Sequence, residues 1–165
     1  VLHQPRIDIP EMFSDDPKVE EARLLKGLQS MHNAIDDLFS ATELSASGEH
    51  QTVLETYRLV ARDAGWLRRL QEAIGGGLTA EAAVQKVQDD IKARMNYATD
   101  SYLRERLHDF EDLAHRLMQH LGESGYVTAA DKTLPKDVVL LATNMGPAEL
   151  LDYERANDRW IKELN

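Results

Sequence analysis

The stretch KVEEARLLKGLQSMHNAIDDLFSAT, residues 18–42, places apolar side chains mostly at steps of three and four residues. The repeating positions are Ala22, Leu25, Leu28, Ile35, Leu38 and Phe39. Because such steps return to the same side of an α-helix, the spacing predicts one long amphipathic helix. Pro17, preceded by Ser-Asp-Asp at residues 14–16, suits the first turn of that helix.

Four further helices are predicted at short intervals along the chain. They cover about residues 49–62, 66–74, 79–95 and 100–122. The second carries an apolar stripe of Val53, Tyr57 and Val60, and Thr79 is a suitable N-cap for the fourth. Three glycines at residues 75–77 end the third, because glycine tolerates the positive φ of a helix C-cap. The fold is therefore predicted to be mainly α, a helical bundle with short connections.

The two ends of the chain show a different pattern. The run VVLLA at residues 138–142 is typical of a short buried strand, and residues 2–9 alternate loosely before Pro10. Because one strand cannot stand alone, the two are predicted to pair. Residues 1–16 and 126–165 would then form a partial α/β domain, into which a helical subdomain of residues 17–125 is inserted. The tail at residues 154–163, ERANDRWIKE, lacks a strand pattern and could be helical.

Composition narrows the range of partners. The chain has 19 Lys and Arg against 29 Asp and Glu, a formal net charge of -10, so nucleic-acid phosphates and anionic membranes should repel it. A basic protein is the natural complement. The chain has no cysteine, and no apolar run approaches a membrane span. These features predict a cytoplasmic protein with neither nucleic-acid nor membrane partners.

Two stretches carry more specific information. They are TYRLVARD (56–63) leading into GWLRRL (65–70), and DSYLRERLHD (100–109) leading into DLAHRLM (112–118). In these stretches the chain resembles enzyme I of the bacterial phosphotransferase system, and LTAEAAV (78–84), VLHQPR (1–6) and DVVLLA (137–142) look like the same family in the same order. Tyr57-Arg58 and the Gly-Trp-Leu-Arg-Arg run look closer to its nitrogen-related branch.

The resemblance implies a function in phosphoryl transfer. In such enzymes phosphoenolpyruvate phosphorylates a histidine on a swivelling α/β domain, and that histidine passes the group to a small histidine phosphocarrier of the HPr or NPr type, which docks on the helical subdomain. The chain would be an N-terminal fragment, consistent with its start at Val1 without Met. It lacks the Gly-Gly-x-x-Ser-His-type segment, so no catalytic residue and no cofactor is expected in it. Magnesium would belong to the absent catalytic domain, and the fragment would be monomeric although the parent is dimeric.

The resemblance also implies a set of carrier-docking residues. These are Tyr57, Leu59, Val60, Trp66, Met95, Leu103 and Arg106. An apolar centre with aromatic and arginine anchors and an acidic surround would suit a small basic carrier. Trp66 and Leu59 are expected to be exposed, whereas Val60 and Met95 share stripes with core positions and could equally be buried. Arg106 could equally form a surface ion pair.

The histidines and a metal-like motif have simpler explanations. His108, His115 and His120 lie among charges on the fifth helix, where solvated side chains titrating near pH 6.5 are the default. Glu105-x-x-His108 has the spacing of a di-iron ligand pair, but no second copy exists. No metal is therefore predicted.

Two alternatives remain open. The chain could be an independent helical regulatory protein without transferase activity, although strands at both ends argue against a self-contained bundle. A Ser-His segment in the reading frame beyond Asn165 would favour the phosphotransferase, and a stop codon would favour the regulatory protein. A small metalloenzyme would depend on the Glu-x-x-His motif.

Overall fold

The computed structural model describes residue 9 and residues 11–43, 48–95, 101–122 and 146–156, with the backbone alone at residues 41–43, 48–50, 101–106 and 154–156. These ranges contain six helices: α1 (Pro17–Glu43), α2 (Gly48–Ala61), α3 (Ala64–Gly75), α4 (Ala80–Met95), α5 (Ser101–Leu121) and α6 (Pro147–Ala156). The five predicted helices are thus present within two residues of their predicted ends. The mainly α fold is confirmed.

The buried stripes of α1 and α2 differ by one residue from those predicted. On α1, Leu24 is buried where Ala22 and Leu25 were expected, and on α2 Leu54 replaces Val53. Leu24-Leu25 and Val53-Leu54 are adjacent apolar pairs, and spacing alone does not decide which member of each pair is buried. The rest of the α1 stripe is buried as predicted, and Met31 joins it.

Helix α1 runs through the centre of the bundle and packs against the other five helices, while α4 lies between α3 and α5. One shared core of leucine, isoleucine, valine and aromatic side chains joins all six helices. Gly27 permits a close approach of α1 to α5, because a Cβ there would come within 2.8 Å of Leu121. The bundle is therefore one packed unit.

The start of α4 is fastened from two directions. Thr79 Oγ1 accepts a hydrogen bond from the Ala82 N–H at 3.3 Å, which confirms the predicted N-cap. The Glu20 carboxylate of α1 accepts from the Ala80 N–H at 2.9 Å. Gly77 has φ of 94°, the left-handed conformation expected after α3. The junction of α3 and α4 is consequently well defined.

The last helix was not predicted as such. Helix α6 packs on α1 and α2, and Ala148 is completely buried in the shared core. The suggestion of a helical tail holds as far as Ala156. Of the proposed strands at residues 2–9 and 138–142, only Ile9 is described, and it is not in a strand. The division into 1–16 with 126–165 and 17–125 stays a prediction. None of the described helices is long and apolar enough to cross a membrane.

Candidate functional site

An open pocket of about 310 Å³ lies where α3, α4 and α5 meet. Its lining residues come from the first turns of α3, the last turns of α4 and the middle of α5: Asp63, Gly65, Trp66, Arg69, Ile91, Arg94, Met95 and Phe110. The rings of Trp66 and Phe110 meet edge to face, with centroids 6.2 Å apart. The pocket therefore has an apolar floor and a charged rim, an arrangement typical of binding sites.

The N-cap of α3 positions the pocket's aromatic floor. Asp63 Oδ1 accepts a hydrogen bond from the Trp66 N–H at 2.7 Å, which fixes the first turn that carries the indole. A Cβ on Gly65 would lie 3.0 Å from that same oxygen, so glycine leaves the cap undisturbed. The cap thus fixes the backbone turn from which the Trp66 side chain projects.

The rim is more positive than the chain as a whole. Arg69 and Arg94 are exposed, and neither has a carboxylate partner among the described residues. Asp63, the one acidic side chain among the described lining residues, caps α3. The described lining of this pocket shows no acidic surround, and the acidic surround expected from the sequence stays a prediction for the wider docking face.

The structure separates the five predicted docking residues with described side chains into three groups. Trp66 and Met95 line the pocket, but Trp66 is only 3% exposed, so the expectation of an exposed indole is wrong. Leu59 is 74% exposed, as expected. Tyr57 and Val60 are buried in the core, and the side chains of Leu103 and Arg106 lie outside the described set.

Tyr57 belongs to a buried polar network that sequence reasoning missed. Its hydroxyl donates to Asp112 Oδ2, and Arg116 Nε donates to the same oxygen at 3.2 Å. Arg116 Nη1 also pairs with Asp152 Oδ2 of α6 at 2.7 Å. Burial, reinforced by the Asp112 carboxylate, raises the pKa of Tyr57 well above its ordinary value. Asp112 and Arg116 are four residues apart on one helix, which was the available signal.

The network joins α2, α5 and α6. Gly146, just before α6, lies so close to Asp112 that an added Cβ would come 2.8 Å from the carboxyl carbon. Arg116 is buried between two carboxylates, so its charge is compensated. These contacts hold the start of α6 against the bundle.

One histidine departs from the expected solvated behaviour. Nδ1 of His120 lies 2.9 Å from Ser30 Oγ, and burial, with a smaller effect of the Arg116 charge, lowers the pKa of His120 to about 4. The other described histidines make simple contacts: His32 with the Ala61 carbonyl, His108 with Glu111 and His115 with Gln119. The expectation of titration near pH 6.5 is therefore wrong for His120.

This difference predicts an acid-sensitive contribution to stability. Because the pKa of His120 is about 4 when folded and near 6.5 when unfolded, the unfolded chain binds more protons between these values. Stability should fall as the pH decreases from 6.5 towards 4. The side chain is only half-buried and solvent screening applies, so we expect roughly 1 kcal/mol. Urea unfolding at pH 7 and pH 5 should show a larger loss for the wild type than for His120→Gln, and equal losses would contradict the assignment.

Among the described side chains, no three His, Asp or Glu residues are grouped so that they could hold a metal ion. The Glu105 side chain lies outside that set, and Asp112 is engaged by Tyr57 and Arg116. The Glu-x-x-His spacing stays a sequence pattern without structural support.

Comparisons with known proteins place this bundle in a family. Residues 1–106 match the family described as PEP-utilising enzyme, N-terminal. The chain is 31% identical over 92% of its length to a phosphoenolpyruvate-protein phosphotransferase of Streptomyces coelicolor, covering 26% of that relative. It is 22% identical over 94% of its length to the phosphoryl donor subunit DhaM of a PEP-dependent dihydroxyacetone kinase from Providencia stuartii, covering 32% of that protein.

A solved structure shows the same fold. The structure described as the N-terminal domain of Enzyme 1 - Nitrogen superposes with a TM-score of 0.64 at 23% identity, covering 88% of this chain and 58% of the other. The chain thus spans about a third or less of the length of its curated relatives and somewhat more than half of that domain. These findings confirm the resemblance predicted from the sequence: the chain belongs to the PEP-utilising enzyme N-terminal family.

Proposed function

We propose that this chain docks a histidine phosphocarrier of the HPr or NPr type, as part of a phosphoenolpyruvate-protein phosphotransferase nearest the nitrogen-related branch. Family membership and the names of relatives such as the Streptomyces coelicolor protein support this proposal. The parent's activity, its phosphohistidine, its dimeric state and its cytoplasmic location are parts of the same proposal.

The pocket at the junction of α3, α4 and α5 is the observation that carries the proposal. Protein interfaces have apolar, aromatic-rich centres with arginine at the edge, and the pocket combines Trp66, Phe110 and Met95 with two exposed guanidinium groups. Its floor is held by buried packing and a helix cap, so docking would need little rearrangement.

The chain's contribution to the reaction would be positional. Phosphoryl transfer depends on holding donor and acceptor in line and on compensating developing charge. A carrier seated on a rigid helical pocket would present its histidine in one orientation to the phosphohistidine of the parent. The loss of docking contacts should therefore slow transfer mainly by weakening carrier binding.

Amide-shift NMR titration of the chain with HPr-type and NPr-type carriers tests the proposal. Saturable shifts should cluster at residues 65–69, 91–95 and around Phe110. Met95→Ala should weaken binding by about 1–3 kcal/mol, because it removes an apolar contact at the pocket. Val19→Ala is a matched control, since Val19 is exposed on α1 and does not line the pocket.

The variant Leu59→Ala tests whether the carrier also contacts α2. Weakened binding in that variant would include the exposed surface of α2 in the interface, and unchanged binding would restrict docking to the pocket. The absence of shifts with millimolar amounts of either carrier would contradict the proposal and favour an independent regulatory bundle.

A further inference from the structure

We infer that the pocket selects a carrier whose docking face presents a carboxylate side chain beside the apolar side chain that enters the pocket. The inference rests on the proposed docking function and specifies the chemistry of the partner. It follows from the ion pairs of the arginines, from the apolar floor of the pocket and from the hydrogen bond of Asp63, the acid of the described lining.

The arginines of the described bundle divide into two sets. Five of the seven with described side chains have ion-pair partners: Arg23 with Glu20 and Glu81, Arg58 and Arg62 with Asp36, Arg68 with Glu72, and Arg116 with Asp112 and Asp152. The remaining two, Arg69 and Arg94, have no carboxylate partner within the described residues, and both line the pocket. In a chain with ten more acids than bases, this coincidence marks a local positive site.

The two guanidinium groups belong to different sides of the pocket. Arg69 projects from α3 and Arg94 from α4, so an anion at the mouth could be contacted from both helices. Asp63 forms no ion pair with either arginine, and its Oδ1 accepts from the Trp66 N–H at the start of α3. Among the residues that the structure describes, the two arginines of the rim therefore have no carboxylate acceptor.

The floor determines what kind of anion fits. Ile91, Met95, Trp66 and Phe110 form an apolar surface, and about 310 Å³ is close to the lower limit for small-molecule pockets. A free phosphate would leave this surface exposed to water, and a nucleic acid would be repelled by the net charge of -10. A protein surface with one large apolar side chain next to Asp or Glu fits both the apolar floor and the arginine rim. The apolar side chain covers the floor, and the guanidinium groups pair with the carboxylate in a bidentate manner.

The overall negative charge does not oppose this choice at contact distance. At physiological ionic strength, screening reduces interactions between exposed charges beyond about 8 Å. The net charge therefore acts mainly on approach, whereas the pair of arginines acts on the docked complex. A carrier could be basic elsewhere and still place one carboxylate at this rim.

Isothermal titration calorimetry of the full chain with unphosphorylated HPr-type and NPr-type carriers tests the inference. The double variant Arg69→Gln with Arg94→Gln should weaken binding about tenfold, since two rim ion pairs are lost. Replacing both by Lys keeps the charge but loses the bidentate geometry, so the affinity should lie between those of the wild type and the double Gln variant. Arg68→Gln is the matched control, because Arg68 is the neighbouring exposed arginine, pairs with Glu72 and does not line the pocket. Unfolding curves should be unchanged in all variants, since each side chain is exposed.

The outcomes distinguish this inference from the docking proposal. If the double Gln variant binds the carrier as tightly as the wild type or more tightly, the inference of a carboxylate on the carrier is overturned. The docking proposal is then left intact. A dependence on the arginines only with the phosphorylated carrier would assign the anion to the phosphoryl group and also overturn it. A wild-type chain that binds neither carrier would instead remove the docking proposal itself.

Discussion

Replacing Arg116 with Met is expected to lower the free energy of unfolding by about 3–5 kcal/mol. Arg116 is buried between Asp112 and Asp152, and its removal takes an ion-pair partner from both carboxylates. Asp112 would keep only its hydrogen bond from Tyr57 among the bonds described for it. Equilibrium unfolding in urea, followed by circular dichroism, measures the loss.

Two comparisons make this result specific. Arg68→Met breaks an exposed pair with Glu72 and should change stability by less than about 1 kcal/mol. Adding Asp112→Asn and Asp152→Asn to Arg116→Met removes the uncompensated charges and should recover part of the loss. If Arg116→Met lowered the free energy of unfolding no more than Arg68→Met, the network would not stabilise the packing of α6 on the bundle.

Replacing Trp66 with Ala is expected to lower the free energy of unfolding by about 3–5 kcal/mol. The indole is buried, meets Phe110 edge to face, and belongs to the shared core, so its removal leaves a large cavity. The same urea experiment checks this value. Leu59→Ala, at a position 74% exposed, should change stability by no more than about 0.5 kcal/mol.

This second prediction changes how carrier binding should be tested at Trp66. An alanine variant that loses binding could have lost its folded pocket, so Trp66→Phe is the more informative substitution. Wild-type stability of Trp66→Ala would show that the indole is a surface anchor and that its burial is wrong. Arg69, Arg94 and Met95 remain better probes, because the two arginines are exposed and Met95 is only partly buried.

Periodicity and turn chemistry were sufficient to predict helices α1 to α5. The apolar steps in residues 18–42, the cap at Thr79 and the glycines at 75–77 are local signals, and local signals decide where a helix begins and ends. Segment resemblance along the whole chain was sufficient to indicate the family. Helix α6 was missed because its sequence followed a segment in which a strand was expected.

The side chains that form the site depended on tertiary packing. Adjacent apolar residues such as Leu24 and Leu25 differ little in sequence, and only the neighbouring helices decide which one is buried. Tyr57 and Trp66 resemble interface aromatics in the sequence, but the bundle places both inside the core.

Charge shows the same division between local and tertiary information. Composition determined the excess of acids, but pairing across helices decided that Arg62 is neutralised by Asp36 while Arg69 and Arg94 are left at the pocket. Similarly, the half-buried position of His120 beside Arg116 requires α5 to pack on α1 and could not be predicted from α5 alone. Helices follow from interactions within a few residues, whereas burial, ion pairing and pKa depend on residues distant in sequence, so they required the folded structure.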